Sequence, residues 1–344
     1  MKCSISEKPF GVFDNKPVTQ YTLTNNNGMQ VSVINYGATV TRIITADRNN
    51  NKGNVIFGFD TLEGYLENAD KYIGSVVGRY CNRIGKARFF IDGIEYLLAK
   101  NENNNSLHGG IKGFDKVWWN IEGLEDDCSL KLTYLSKDGE EGFPGNMYVE
   151  VIYSLSDDNA LTISYAAVCD KPSPVNLTSH CYFNLSAGND PSVTGHELLL
   201  FADEYTALDE HSIPTGDIAK VENTAYDFRN PKAIGKDIDQ LPGGYDINYV
   251  LNKQAGIAAI LYHAGSGRVM EMFTTEPGLQ IYSAGNREGS QAGLETNAEQ
   301  VKYTAICLEA QHFPNSPNIP VFPDTILRPG DVYRQSTVYK FSVK

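Results

Sequence analysis

Apolar and polar residues alternate with a period of two wherever the chain shows a pattern at all, which marks half-buried β-strands. Val31 and Val33 are separated by a polar residue, as are Leu130, Leu132 and Tyr134. Val149, Val151, Tyr153 and Leu155 keep the same spacing, with Ile152 the one apolar residue between them, and Leu161, Ile163 and Tyr165 follow the rule. Val269 to Phe273, Leu279 to Tyr282, Tyr303 to Leu308 and Val332 to Val343 read alike. Between these runs lie turn clusters: Asn25-Asn26-Asn27-Gly28, Arg48 to Gly53, Asn101 to Ser106, Ser156 to Asn159 and Pro242-Gly243-Gly244. One short helix is predicted over Thr61 to Lys71, with Asp60 or Thr61 as N-cap and Glu63 in its first turn. Many short strands separated by turns predict an all-β sandwich or barrel, and exclude a βαβ array. No repeat, low-complexity tail or shift in composition divides the chain, so a single domain over residues 1–344 is expected.

Composition narrows the partners. Lys plus Arg number 29 against 42 Asp plus Glu, a formal charge of −13. That charge repels phosphate backbones and anionic lipid, so neither nucleic acid nor membrane is an expected partner. No stretch nears the ~20 consecutive apolar residues a membrane span needs. Residues Met1 to Phe10 carry Lys2, Glu7, Lys8 and Pro9 in place of an apolar signal core. The six cysteines (Cys3, Cys81, Cys128, Cys169, Cys181, Cys307) are far apart and read as reduced, mostly buried thiols, with the cytoplasm as the expected compartment.

The chain has no Gly-rich phosphate loop, G-x-S-x-G elbow or H-E-x-x-H helix, so nucleotide cofactors and serine-hydrolase chemistry lose their usual support. Polar residues embedded in apolar, strand-forming surroundings remain. His180 lies in Asn176-Leu177-Thr178-Ser179-His180-Cys181-Tyr182-Phe183-Asn184-Leu185, where so many polar groups are costly unless they satisfy one another or a ligand. Glu309 ends the apolar run Ile306-Cys307-Leu308, and a carboxylate so placed must pair, accept hydrogen bonds or change its pKa. His108 precedes Gly109-Gly110, whose freedom at positive φ lets a ligand approach the backbone. Arg79 and Arg83 share one largely uncharged stretch, and spacing does not separate them. His196, His211 and His263 read as structural or surface residues, and His312, three after Glu309, as lining or supporting the same cleft.

These stretches together resemble the aldose 1-epimerase (galactose mutarotase) family. The motifs are Gly78 to Ile84, Asn105-Ser106-Leu107-His108-Gly109-Gly110, Gly139 to Gly145, Pro174 to Leu185, Ile213-Pro214-Thr215-Gly216, Pro277-Gly278-Leu279-Gln280 and Leu308-Glu309-Ala310-Gln311-His312-Phe313. They occur in family order from about Phe10 to the C-terminus. The resemblance implies a large, twisted antiparallel β-sandwich with few short helices, working without metal or cofactor as a monomer or homodimer on a free aldose such as galactose or glucose. It implies Glu309 as general base and His180 as general acid. It further implies that Arg83 and His108 bind and polarise the reacting end, and that Asn82, Asp246 and Gln280 hold hydroxyls. Two departures stand out: Ile247 follows Asp246 where the family has His, and Ser179 precedes His180 where Asn is usual. Both are expected to retune sugar preference.

The implied chemistry needs only these residue types. Converting one anomer to the other requires a base at the C1 hydroxyl and an acid at the ring oxygen, on opposite sides of the C1–O5 bond, and each contributes about 10²–10⁴-fold. Three rivals remain. A carbohydrate-binding sandwich needs aromatic platforms such as Trp118 or Tyr182 but no buried Glu–His pair. A cupin-like metalloisomerase would use His108, His180 and Glu309 as ligands, though no H-x-H spacing is present. A hexose 6-phosphate epimerase needs a cationic cluster that the charge of −13 disfavours.

Overall fold

The computed structural model describes residues 3–124, 127–254, 256–284 and 302–344. Where the period of two is longest, the strands are longest. Met147–Leu155, Ala160–Cys169 and Tyr333–Val343 lie adjacent, in that order, within a nine-stranded sheet. Met147, Val149, Val151, Tyr153 and Leu155 point inward and are buried, while the residues between them are partly exposed. Strands Ser4–Phe13, Lys16–Thr24, Gln30–Ile34, Thr39–Ala46 and Lys52–Asn54 form a second, five-stranded sheet. A third, of seven strands, runs in the order Pro214–Lys220, Glu204–Leu208, Asp246–Val250, Gly278–Tyr282, Ile306–Gln311, Tyr182–Phe183 and Ile56–Phe57.

Apolar faces of all three sheets meet in one contiguous core. Val31, Val33 and Val40 come from the five-stranded sheet, Leu132, Val151 and Ile163 from the nine-stranded one, and Tyr249, Leu279 and Leu308 from the third. Cross-layer hydrogen bonds tie the layers. The Tyr339 hydroxyl donates to the Leu308 carbonyl at 3.1 Å and the Tyr153 hydroxyl to the Ala38 carbonyl at 2.7 Å. Buried tyrosines need such acceptors, and here they supply register as well as area.

The seven-stranded sheet positions the site through its pleat. Pairing sets Asn248 opposite Gln280 and Gln280 opposite Glu309, with Asp246 opposite Tyr282 and Tyr282 opposite Cys307. Alternation therefore gathers Asp246, Asn248, Gln280, Tyr282, Cys307 and Glu309 on one face. The opposite face is Ile247, Tyr249, Leu279, Ile281, Ile306, Leu308 and Ala310, all within the core. A sheet with one apolar and one polar buried face is an uneconomical way to fill an interior, so the polar face marks a cavity.

Two expectations need correction. The predicted helix is present but short, Leu62–Glu67, with the Thr61 hydroxyl accepting from the Gly64 amide. It stops because Asn68 leaves helical geometry and turns its side-chain amide back onto the Gly64 carbonyl at 2.9 Å, before a single 3₁₀ turn, Ala69–Lys71. The cysteines are not all reduced. Cys3 and Cys128 form a disulfide, 125 residues apart in sequence, because the first strand's start packs beside the nine-stranded sheet. Cys81, Cys169, Cys181 and Cys307 form no disulfide.

Candidate active site

His180 is held by its backbone on both sides. Its amide donates to the Ser75 carbonyl and its carbonyl accepts from the Gly74 amide, each at 2.9 Å. These contacts follow from the pairing of Thr178–Ser179 with Val76–Val77. The imidazole stacks on Tyr182 at 4.9 Å, and its Nδ1 lies 3.6 Å from the Cys307 thiol. Its Nε2 lies 3.6 Å from Glu309 Oε1. Both side chains are buried, at 5% and 2% exposure. An ionised carboxylate removed from water is costly alone, and a protonated imidazole beside it would offset that charge.

His108 arrives by a different route. Ser106–Leu107 pairs with Arg83–Ile84, which brings the 80s and 100s loops together. The Asn82 amide donates to His108 Nδ1 at 3.1 Å, and the His108 amide donates back to the Asn82 carbonyl at 3.1 Å. Burial, then the nearby His180, Arg83 and Lys116, hold the His108 pKa well below the usual histidine range. The ring is therefore neutral. With Nδ1 accepting, its proton sits on Nε2, which becomes a hydrogen-bond donor. The two glycines after His108 act otherwise than expected. Gly109, at φ +90°, leaves room for the Gly78 carbonyl, and Gly110 for the Glu141 side chain, so the close approach is by the protein's own chain.

The structure separates the two arginines. Arg79 is 2% exposed and satisfied by Ser136, Ser173 and the carbonyls of Pro144, Ser136 and Lys137. Burial pulls its pKa down to about 10, and it belongs to the interior. Arg83 is the one in the cavity. Its Nε and Nη2 donate to Glu102 at 2.8 Å, and Nη2 lies 3.6 Å from Asp246 Oδ2. Burial works against its charge, but Glu102 and Asp246 more than offset that and raise its pKa. Gln280 Nε2 donates to Asp246 Oδ1 at 2.6 Å, closing a chain from Glu102 through Arg83 and Asp246 to Gln280.

All seven expected site residues line one cavity of about 210 Å³, smaller than the roughly 300–1,000 Å³ of drug-sized sites, with Asp70, Lys71, Tyr72, Glu102, Leu107, Tyr182 and Tyr282. His312 does not line it; its Nδ1 pairs with Glu276 at 2.5 Å. Sequence reasoning missed Glu102 and Tyr72. Glu102 sits in the turn cluster 101–106, read only as punctuation, and Tyr72 follows the predicted helix. Tyr72 packs on His108 at 4.6 Å while Lys116 Nζ lies 4.7 Å from the tyrosine ring centroid. Ile247, expected beside the sugar, instead faces the core at 3% exposure, on the opposite side of its strand from Asp246. Donor atoms of His108, His180 and Glu309 all lie within 4.8 Å of one another, so the geometry alone could hold a divalent ion.

The family model for aldose 1-epimerase matches residues 19–340. The chain belongs to that family. It is 43% identical to the galactose mutarotase of Bos taurus over 318 residues, 92% of each chain. It is 36% identical to the aldose 1-epimerase of Escherichia coli K12, covering 98% of this chain and 99% of that one. The crystal structure of galactose 1-epimerase from Lactobacillus acidophilus NCFM superposes with a TM-score of 0.87 at 27% identity, over 99% of both chains. The β-sandwich expected from the motifs is thus the observed fold, and the isomerase class follows from membership. No helix among the described residues is long and apolar enough to cross a membrane.

Proposed function

We propose that this chain interconverts the α and β anomers of free aldohexoses such as galactose and glucose, with Glu309 as base and His180 as acid. The observation that carries the residue assignment is the 3.6 Å separation of Glu309 Oε1 and His180 Nε2 on one wall of the cavity. O1 and O5 are bonded to the same carbon, so two groups that close can reach both at once.

Glu309, ionised, takes the proton of the C1 hydroxyl while His180, protonated, gives one to O5. The C1–O5 bond breaks as the C1 carbonyl forms. Rotation about C1–C2 presents the other carbonyl face. On reclosure Glu309 returns its proton to the carbonyl oxygen and His180 takes one from the attacking hydroxyl, so both end as they began. Arg83 and the His108 Nε2–H donate to the reacting end, and Asn82, Asp246 and Gln280 hold hydroxyls. Over the cycle the C1–O5 bond breaks and re-forms, Glu309 returns the proton it took from the sugar, and His180 regains the one it gave.

The chain is proposed to act as one domain over residues 1–344, which the shared core supports, as a monomer or homodimer. The proposed compartment is the cytoplasm; the Cys3–Cys128 bond is an observation against a reducing one.

Polarimetry of fresh α-D-galactose and α-D-glucose, before and after EDTA treatment, tests the reading. Acceleration should survive EDTA, and Glu309→Gln should lower it by about 10²–10⁴-fold or more while the protein stays folded. Full activity in Glu309→Gln would falsify the base assignment. Loss to EDTA with recovery on adding metal would shift the reading to a metal held by His108, His180 and Glu309, and sugar binding without acceleration to a lectin-like module.

A further inference from the structure

Glu102 has no part in the proton transfers, yet it makes a two-pronged polar contact in the cavity. Its two oxygens accept from Arg83 Nε at 3.1 and 2.8 Å and from Nη2 at 2.8 Å. The side chains of Arg83 and Glu102 are 14% and 25% exposed. The turn carrying Glu102 is pinned beside His108. Asn101 accepts from the Leu107 amide at 2.7 Å and donates to the Leu107 and Gly110 carbonyls at 2.8 and 2.9 Å. Such a two-pronged contact fixes the plane of a guanidinium as well as its position.

The same contact changes what Arg83 can recognise. Glu102 and Asp246 are two carboxylates against one guanidinium, and they occupy its Nε/Nη2 edge. Nη1 donates no hydrogen bond to the described residues, so it is the nitrogen left for a ligand. Among the described residues that line the cavity, the remaining lysine or arginine is Lys71, and Asp70 precedes it in the chain. An arginine whose Nε/Nη2 edge were open would grip a phosphate or carboxylate; one already neutralised can still donate to a hydroxyl.

We propose that Glu102 is a positioning and specificity residue. It holds the Arg83 fork in the plane that meets a sugar hydroxyl, and it cancels the charge that would admit anionic sugars. The inference rests on the reading of this cavity as a free-aldose site.

Calorimetric titration of the whole protein with galactose and, separately, inorganic phosphate tests it without requiring turnover. Glu102→Gln should bind galactose about 3- to 10-fold more weakly, and phosphate at least about tenfold more tightly than the parent, in competition with galactose. Adding Arg83→Gln should remove the phosphate gain. Glu102→Asp keeps the charge on a shorter arm, so galactose should weaken while phosphate stays excluded. Parallel weakening of both ligands in Glu102→Gln would mean a merely structural role and overturn the proposal. Should that variant not fold, parental galactose affinity in Glu102→Asp would overturn it equally. Galactose binding by a parent that fails to accelerate mutarotation would sink the anomer-interconversion reading and leave this one standing.

Discussion

At the scale of single residues, neighbours in sequence have opposite fates. Asp246 lines the cavity, and Ile247 one position later lies in the core with Tyr249 and Leu279. The departure from the family at Ile247 therefore concerns packing, not sugar contact. Ile247→His should cost about 1–3 kcal/mol of stability, because the buried imidazole must find a partner among apolar side chains. Melting curves read that cost. The ratio of galactose to glucose kcat/KM should stay within about twofold, since the substituted group is on the far side of the strand; a larger change would return position 247 to the site. Arg79 and Arg83 teach the same lesson. Two cations four positions apart are equivalent in sequence, yet one is buried among carbonyls and hydroxyls and the other lies partly buried against carboxylates.

At the scale of the element, Ile306–Gln311 is fully buried on both faces yet carries two unlike jobs. Ile306, Leu308 and Ala310 fill the core, while Cys307 lies against His180 and Glu309 pairs with it. Leu308→Ala should destabilise by about 2–5 kcal/mol through the void it leaves. Activity per folded molecule should change little, because the backbone at Glu309 is paired with Gln280 and the same strand is held on its other edge at Ile306 and Cys307. Denaturant melts beside active-site-normalised rates separate the two effects. A large fall in normalised rate would show that the core face steers the catalytic one. Sequence pattern placed a strand here, but an apolar run with one carboxylate does not reveal that a second polar row, Asp246 to Gln280, lies alongside it.

At the scale of the whole molecule, buried titratable groups set the response to pH. His196 and His263 stack at 4.6 Å in the interior, far from the proposed chemistry. Burial, then the neighbouring ring, lowers the His196 pKa from 6.5 to about 3, and burial lowers that of His263. A depressed histidine pKa favours the fold above 6.5, and that contribution is lost as pH falls toward 3. Asp115 works oppositely: burial raises its pKa from 3.8 to about 6, so its contribution is present below 3.8 and lost as pH rises through 6. The histidine shift is the larger and has two further members of the same sign, His263 and His108, so the melting temperature should fall between about pH 6.5 and 4. His196→Gln, whose amide oxygen can accept the Leu185 N–H that the imidazole accepts at 3.0 Å, should flatten that fall. A profile unchanged by the substitution would assign the acid sensitivity elsewhere.

The sequence by itself determined the fold class, because period-two alternation and turn chemistry act over a few residues. It also determined the family and the candidate residues, because those motifs are contiguous. Glu309 and His180 stood out as polar groups too costly to bury without a purpose, and they are 3.6 Å apart. What only the tertiary structure decided depends on strands distant in sequence coming side by side. The placing of Arg83 rather than Arg79 in the cavity, the contact between Glu102 and Arg83, the retreat of Ile247 into the core and the Cys3–Cys128 bond are all of this kind. Each is a contact between segments that no local pattern couples, and it exists only once the sheets have chosen their register.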